Sequence, residues 1–269
     1  MATLEYTFRN DTLFKLLFVR NPDLLKELIA DLLCIKLRDI KNFQITNPEL
    51  TPDIIGNKLC RLDINMIVNK QKLDLELQVR NEGDYPERTL YYWAREYSSA
   101  LNEGVDYIEL PRTIVVSILY FNLFNCLEFH SEYQPLEVTR YTPLTDRMSL
   151  HYFELPKLPK TISKNDTLKL WLSLFRARTE EDLQQIEALE VPVMEKVIKA
   201  YRTVSAADEL KNLERMRFDA TNIEASARGN AMRKGERRGV RKANKKWRAV
   251  VAQQAAEIAE LKAKLGEGV

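Results

Sequence analysis

The strongest constraint on the fold is a pair of neighbouring segments, residues 61–68 and 71–78, in which apolar and polar side chains alternate. Alternation with a period of two residues is typical of a β-strand that buries one face. The two intervening residues, Asn69 and Lys70, predict a tight turn, because Asn tolerates a positive φ. The sequence therefore predicts a β-hairpin at this point.

Pairing the two segments across the turn separates an apolar face from a polar face. The apolar face pairs Leu62 with Leu77, Ile64 with Leu75 and Met66 with Leu73. The polar face pairs Asp63 with Glu76, Asn65 with Asp74 and Arg61 with Gln78. Opposed side chains have Cβ atoms about 5 Å apart, so like charges repel there. A divalent cation held by one or two carboxylates would relieve the repulsion between Asp63 and Glu76.

The sequence of the hairpin also allows two alternatives to a metal site. A polar strand face is also typical of the solvated side of an antiparallel sheet. A shift of the register by one residue would turn Asp63 to the other face.

The order of four motifs along the chain resembles the PD-(D/E)XK nuclease superfamily, and more closely its transposase-associated, Rpn-like branch. The motifs are Asn-Asp-x-x-Phe-Lys at 10–15, the strand residue Asp63, Glu-x-Gln at 76–78 and Arg-x-x-Tyr-Tyr-Trp at 88–93. The Glu-Leu-Pro-Lys at 154–157 and the charged tail, which contains several glycines, are also similar to that branch. The resemblance implies a metal-dependent DNA endonuclease linked to transposition or recombination.

The resemblance also implies roles for the hairpin residues. Asp63, Glu76 and the backbone carbonyl of Leu77 would hold the metal, and Gln78 would orient the attacking water through its amide oxygen. The chain departs from the superfamily pattern twice, since Leu62 stands before Asp63 in place of Pro and Gln78 stands in place of Lys. The second change removes a positive charge that would help to polarise an attacking water.

Four further residues are candidates for the same site. Asn10 or Asp11 could cap the first helix, and Asp11 is alternatively a catalytic residue. Lys15 lies one helical turn beyond Asp11. Lys15 or Arg88 would replace the missing Lys charge. Arg88 is also a candidate for contact with a phosphate or a sheet carboxylate, and Asp74 is either an auxiliary ligand or a surface residue.

The donors in this set predict Mg²⁺ as the cofactor, with Mn²⁺ as the alternative, because they are oxygen atoms. His130 and His151 are the only histidines and neither lies near a Cys or another His in the sequence, so neither a zinc site nor a His-dependent triad is predicted. The three cysteines show no paired spacing and are predicted to be reduced, mostly buried thiols: Cys34, Cys60 and Cys126.

The hydrophobic pattern predicts an α/β fold in which helices flank a mixed central sheet, followed by a helical C-terminal region and a basic tail. The resemblance implies that this core is restriction-endonuclease-like. The predicted elements are a helix at 10–33 that Asn21-Pro22 can divide, a strand at 42–47, the hairpin at 60–79, a helix at 86–102, strands at 114–121, 126–130 and 149–154, and helices from Asp166 onward. The predicted regions are a nuclease-like domain at 1–160, a helical region at 161–226, and a basic segment with a short amphipathic, coiled-coil-like helix at 227–269.

The tail is the most unevenly charged part of a chain whose net charge is only +2. Between Arg228 and Arg248 ten Lys or Arg side chains accompany one acid, Glu236. A segment with this many like charges either binds nucleic acid or is a solvated helix or linker. Together with Arg88, the predicted nucleic-acid contacts are Arg233, Lys234, Arg237, Arg238, Arg241 and Lys242.

A second feature of the tail is a row of mostly apolar residues at alternating spacings of four and three: Trp247, Val251, Gln254, Ile258, Leu261 and Leu265. This is the spacing of a coiled-coil seam, here shorter than three heptads, and it predicts self-association through the C-terminal helix. The expected partners are therefore DNA and a second copy of the chain, although the residues alone do not distinguish DNA from RNA. The alternative function is a catalytically weak or inactive nuclease-like module that binds nucleic acid or protein.

The sequence also predicts where the protein acts. Its first residues lack the basic and apolar pattern of a secretory signal, and its longest apolar run, residues 114–121, is too short to span a bilayer. We therefore expect a cytoplasmic protein of bacterial type, with association with the nucleoid as an alternative.

Overall fold

A computed structural model describes residues 2–47, 54–55, 58–59, 64–101 and 106–266. Its centre is a six-stranded sheet in the order β1-β4-β5-β6-β8-β7, and β2 pairs separately with β3. The strands are β1 (Phe43–Ile45), β2 (Ile54–Ile55), β3 (Lys58–Leu59), β4 (Ile64–Val68), β5 (Gln71–Gln78), β6 (Thr113–Leu119), β7 (His130–Tyr133) and β8 (Met148–Glu154). The helices are α1 (Asp11–Arg20), α2 (Pro22–Leu32), α3 (Tyr85–Ser98), α4 (Thr167–Arg176), α5 (Glu180–Glu187), α6 (Pro192–Ser205) and α7 (Asp208–Gly266).

The predicted hairpin is present as β4 and β5. Its register opposes Ile64 to Leu75, Asn65 to Asp74, Met66 to Leu73 and Val68 to Gln71, which confirms the predicted pairing for these residues. Asn69 and Lys70 both have positive φ, 49° and 68°, as a two-residue turn of this hand requires. The Asn69 amide oxygen also accepts hydrogen bonds from the backbone N–H groups of Lys41 and Asn42, at 2.8 and 3.2 Å. The predicted residues 61–63 lie outside the described residues.

The sheet is mixed, as predicted. β4 and β5 are antiparallel, whereas β5, β6 and β8 run parallel to one another. Every residue of β6 is buried, because helices cover both faces of the parallel part of the sheet.

Helices α1, α2, α4 and α6 share one core with the apolar face of the hairpin. The predicted break at Asn21-Pro22 is present, since α1 ends at Arg20 and α2 begins at Pro22. Asn10 caps α1, because its side-chain oxygen accepts a hydrogen bond from the backbone N–H of Leu13 at 2.7 Å. The capping role that was the alternative for Asp11 therefore belongs to its neighbour.

Helix α3 covers the opposite face of the sheet. Pro86 lies in its first turn, where the missing N–H of a proline costs nothing. The Trp93 indole donates to the carbonyl of Thr113 at 3.1 Å. The Lys72 ammonium donates to the carbonyl of Glu96 and the hydroxyl of Ser99, at 3.0 and 2.8 Å. These bonds fix α3 along β5 and β6.

Two expectations outside the hairpin are wrong. The strand predicted at 126–130 begins only at His130 and extends to Tyr133. Cys34 is exposed and Cys126 is half-buried, rather than both being buried; Cys60 lies outside the described residues.

The chain divides into two compact units. One comprises residues 1–54 and 59–215, and the other comprises residues 55–58 and 216–269. The second unit is dominated by the 59-residue helix α7. Within the described part of the chain, no helix is long and apolar enough to cross a membrane.

The two histidines, distant in the sequence, meet on β7 and β8. His130 Nε2 lies 3.1 Å from His151 Nδ1, and the His130 ring stacks on Phe153 at 4.3 Å. His151 Nε2 lies 2.9 Å from the hydroxyl of Ser149, which donates to Glu132 at 2.8 Å. Burial lowers the pKa of His151 to about 4, so this imidazole is neutral at pH 7.

The buried His151 predicts that the protein becomes less stable as the pH falls from 7 to 5. An unfolded His binds a proton near pH 6.5, whereas folded His151 does so only near pH 4. The unfolded state therefore binds more protons between these values, and stability falls by up to about 2 kcal/mol from pH 7 to pH 5. The measurement is urea denaturation at pH 7 and pH 5.

The matched control replaces His130 and His151 with Gln, which leaves no histidine in the chain. Any pH dependence that remains in this variant comes from carboxyl groups. We expect its slope to be clearly shallower, and an equal slope in the two proteins would contradict the assignment.

Candidate functional site

The polar face of β5 is buried beneath α3 rather than solvated. Asp74, Glu76 and Gln78 are 3%, 4% and 1% exposed. Two carboxylates therefore lie on neighbouring positions of one strand face, with Cα atoms about 7 Å apart. Removing carboxylates from water is costly unless their charge is compensated, so a buried acidic face is unusual in a strand that serves only as structure.

The Glu76 carboxylate is held by two neutral donors. Its Oε2 atom accepts from the Gln78 side-chain amide and from the Tyr85 hydroxyl, each at 3.0 Å. The Tyr85 oxygen also lies 2.9 Å from the hydroxyl of Ser117, which stands beside Glu76 in the parallel register of β6. These contacts fix the orientation of the carboxylate.

Tyr85 acts as a donor across the whole physiological pH range. Burial is the main cause that raises the pKa of its hydroxyl well above the ordinary value, and the nearby charge of Glu76 raises it further. A phenol that stays protonated supplies a hydrogen bond to an ionised carboxylate without adding a charge to the site.

Arg88 places a positive charge next to this network. Its guanidinium donates to the Gln78 amide oxygen at 2.8 Å and to Glu82 at 3.2 Å. The same group lies over the Tyr85 ring, 4.9 Å from its centroid, as a cation–π contact. Arg88 thus contacts the sheet through the neutral amide of Gln78, and its contact with a sheet carboxylate or a phosphate stays a prediction.

The contact with Arg88 also changes what Gln78 can do. Its amide oxygen accepts from Arg88, and its amide nitrogen donates to Glu76. Both ends of the side chain are engaged, and the residue is 1% exposed. In this arrangement Gln78 links a cation to a carboxylate, and its oxygen is not directed at solvent.

The backbone of β5 directs the carbonyl of Leu77 away from β6. The N–H of Tyr120 in the segment after β6 donates to the carbonyl of Gln78 at 3.0 Å, so the carbonyl of Gln78 points towards β6. Successive carbonyls of a strand point to opposite sides. The carbonyl of Leu77 therefore points to the side of β5 on which β4 pairs.

Asp11 and Lys15 lie on α1. The segment that leads into α1 lies near the end of β5 that carries Gln78. The Arg9 guanidinium lies 4.9 Å from the centroid of the Tyr120 ring, and Tyr120 is bonded to Gln78. Asp11 accepts from the N–H of Thr12 at 3.1 Å. Lys15 is 4% exposed, an unusual burial for an ammonium group.

The donor chemistry on this face fits a hard divalent cation. Asp74, Glu76 and the carbonyl of Leu77 offer oxygen atoms only, which suits Mg²⁺ or Mn²⁺ better than Zn²⁺. The residues that the structure describes do not by themselves bring together three or more Asp, Glu, His or Cys side chains in a metal-binding group. Asp63, the other predicted ligand, lies outside those residues, and its assignment stays a prediction.

Sequence reasoning missed Tyr85 and Ser117. Ser117 lies in the middle of an apolar run, and a hydroxyl on a strand buried on both faces was the available signal, since buried polar groups need partners. Tyr85 precedes Pro86 at the start of α3 and offered no comparable pattern. Its role follows only from the packing of the helix on the sheet.

The predicted nucleic-acid contacts on the tail lie on the solvated surface of α7. The exposed residues are Arg233, Lys234, Arg237, Arg238, Arg241 and Lys242. Arg233 donates to the Asn230 side chain at 2.7 Å, one turn away. Their exposure leaves the charges available to phosphates.

Comparison with known families gives one match. The model of a family described as "PD-(D/E)XK nuclease family transposase" matches residues 8–227, which is most of the chain. No curated protein and no solved structure matches the chain. The matched range includes β5, α3 and Glu76 with its two donors.

Proposed function

The chain belongs to the PD-(D/E)XK nuclease family transposases, and we propose that it is a metal-dependent DNA endonuclease linked to transposition or recombination. Membership of the family indicates a nuclease- or transposase-related role and a PD-(D/E)XK α/β fold. The observation that supports hydrolysis most directly is the buried Glu76 carboxylate, which two neutral donors hold in one orientation. A carboxylate that is preorganised in this way suits a metal ligand.

The proposed metal ligands are Asp63, Glu76 and the carbonyl of Leu77, with Asp74 as an auxiliary group. Mg²⁺ is the proposed ion, with Mn²⁺ as its substitute. A bound divalent ion supplies charge neutralisation on the phosphate and lowers the pKa of a coordinated water. Tyr85 and Gln78 hold the Glu76 carboxylate in place, and α3 keeps bulk water from this face of the strand.

Arg88 is the proposed replacement for the missing Lys of the superfamily pattern. Its guanidinium contacts the amide of Gln78 directly, so a positive charge lies beside the position where that Lys would stand. Gln78 then acts as a positioning residue between Arg88 and Glu76. Lys15 and Asp11, on the neighbouring helix α1, are proposed as supporting groups for the developing charge and for proton transfer.

DNA is the proposed substrate and partner. The exposed basic residues of α7 would contact phosphates through charges that carry no sequence information. Such contacts would hold the duplex while the site of Glu76 performs the hydrolysis.

One observation favours the alternative of a nuclease-like binding module. The amide oxygen of Gln78 is occupied by Arg88, and the chain has no Lys in the Glu-x-Lys position. A module of this kind would bind DNA normally and leave it intact with Mg²⁺ present.

Glu76→Gln should abolish Mg²⁺-dependent nicking of a supercoiled plasmid, with a loss of more than about 100-fold, since even residues that only orient a metal ligand are worth about 10- to 100-fold. The change keeps the shape of the side chain and removes its charge, so the fold should persist. Asp63→Asn should have the same effect. Glu128→Gln, an identical change at an exposed position, is the control and should nick like the wild type.

Retention of nicking by both Glu76→Gln and Asp63→Asn would exclude the proposed metal site. Absence of nicking in the wild-type protein, with DNA binding intact and with both Mg²⁺ and Mn²⁺ tested, would favour the binding module.

An exchange of residues tests the charge assigned to Arg88. Arg88→Gln should lower the nicking rate about 10- to 100-fold. Gln78→Lys alone should also impair the protein, because an ammonium would lie against the Arg88 guanidinium. The double variant Gln78→Lys/Arg88→Gln moves the charge to the position of the superfamily Lys and should recover most of the rate.

The nicking rate of all three variants should be compared after confirming by circular dichroism that each is folded. A folded double variant no faster than Arg88→Gln would show that the charge of Arg88 has another purpose.

A further inference from the structure

The C-terminal part of α7 presents a row of large apolar side chains to solvent. Trp247, Val251, Ile258 and Leu261 are 67%, 57%, 54% and 59% exposed. They lie in the alternating four- and three-residue spacing of a coiled-coil seam. An isolated helix does not keep such a row in water unless a second surface covers it.

We infer that the seam is covered by a second copy of this chain, and that the two helices form a parallel two-stranded coiled coil. The basic segments of the two helices together bind one DNA duplex. The inference rests on the proposed DNA binding and goes beyond it, because it defines the number and arrangement of the DNA-binding helices. The identity and orientation of the partner follow from the residues at each seam position.

Most seam positions match the preferences of a parallel dimer, with the polar Gln254 as the exception. The heptad register that the spacing defines places Asn244, Val251, Ile258 and Leu265 at a positions and Trp247, Gln254 and Leu261 at d positions. β-Branched residues at a with Leu at d favour two parallel strands, and a single Asn at an a position specifies a dimer at some cost in stability. An unrelated apolar partner would not require this combination.

Charge complementarity supports the same orientation. In a parallel pair, a g residue faces the e residue five positions later in the partner helix. Glu257 is at g and Lys262 is at e, so two copies would form two such ion pairs, one on each side of the seam.

The seam cannot continue towards the N-terminus of α7. Beyond Val240, the same spacing reaches Arg237, Arg233 and Asn230. Two arginines at successive seam positions would bring like charges together in a pair of helices, so the two helices must diverge there. The divergence begins within the basic segment itself.

Most of the basic side chains leave the pairing face free. In the same heptad register, eight of the ten Lys and Arg residues between 228 and 248 fall at b, c, e or f positions, outside the seam, and the other two are Arg233 and Arg237. The same helix can therefore pair through one face and contact phosphates through another. A basic helix that continues directly into a parallel coiled coil is the arrangement in which two helices fork across the major groove of DNA.

The test of pairing measures the mass of the full-length protein by sedimentation equilibrium. The wild type should have the mass of two chains. Val251→Asp/Ile258→Asp should have the mass of one, because two charges would enter the seam. Ala252→Asp/Ala256→Asp adds the same charges to the b and f positions of the same helix and should remain a dimer.

A monomeric wild type, or a dimer that survives the seam variant, would overturn the inference. Loss of the dimer in the control variant as well would also overturn the inference, because a charge anywhere on the helix would then be sufficient to dissociate the dimer. Orientation is tested by Val251→Cys and Ile258→Cys, each of which should form a disulfide with its own counterpart only in a parallel pair. The wild type, with its native cysteines, is the control for other cross-links.

DNA binding is measured in EDTA by fluorescence anisotropy across a salt series, with a labelled duplex. Each lost phosphate contact lowers the slope of log K against log salt by about 0.9, so the seam variant should show about half the wild-type slope and one bound chain in place of two. An unchanged slope in the monomeric variant would refute the binding of one duplex by two basic segments. A separate variant with Gln at Arg233, Lys234, Arg237 and Arg238 should stay dimeric but bind weakly. If its DNA affinity is unchanged, the proposed DNA contact fails while the coiled coil stands.

Discussion

The buried carboxylate of Glu76 is the constraint on which the site depends. A charge on a sheet face that is closed to solvent requires donors around it, and the structure provides them from β5 itself and from α3. The position of α3 is in turn fixed by its bonds to Thr113 and from Lys72. The parallel register of β5 and β6 places Ser117 beside the same group. One helix and two strands therefore supply the groups around a single acidic residue. These groups fix the orientation of its carboxylate independently of any ligand.

Arg88 and Gln78 show how the site differs from the superfamily pattern. Where the pattern has a Lys on the strand, this chain has a neutral amide on the strand and a guanidinium on the helix that bonds to it. The positive charge is therefore supplied from α3. The amide of Gln78 bonds to both Arg88 and Glu76, so it fixes the position of the guanidinium relative to the carboxylate. This arrangement couples the proposed chemistry to the packing of α3, so changes on the helix surface that tilt it should reach the carboxylate.

The hairpin and its register were predictable because the information is local. Alternation, the Asn69-Lys70 turn and the apolar pairs lie within 20 residues, and a slip of one residue would have exposed the apolar face. The network around Glu76 was only partly predictable, since Tyr85 reaches it through the packing of α3 on the sheet. The His130–His151 pair was missed for a related reason: 21 residues separate the two rings in sequence, and only the pairing of β7 with β8 brings them together. Sequence spacing predicts contacts along one element well, whereas contacts between elements depend on packing that spacing does not encode.

The central claim is that Glu76 is held as a metal ligand, and anomalous scattering from crystals grown with Mn²⁺ tests it most directly. The account predicts a peak on the polar side of β5 within about 2.0–2.3 Å of a Glu76 carboxylate oxygen, and loss of that peak in Glu76→Gln crystals. A Mn²⁺ peak that lies elsewhere, or one that persists unchanged without the Glu76 charge, would contradict it.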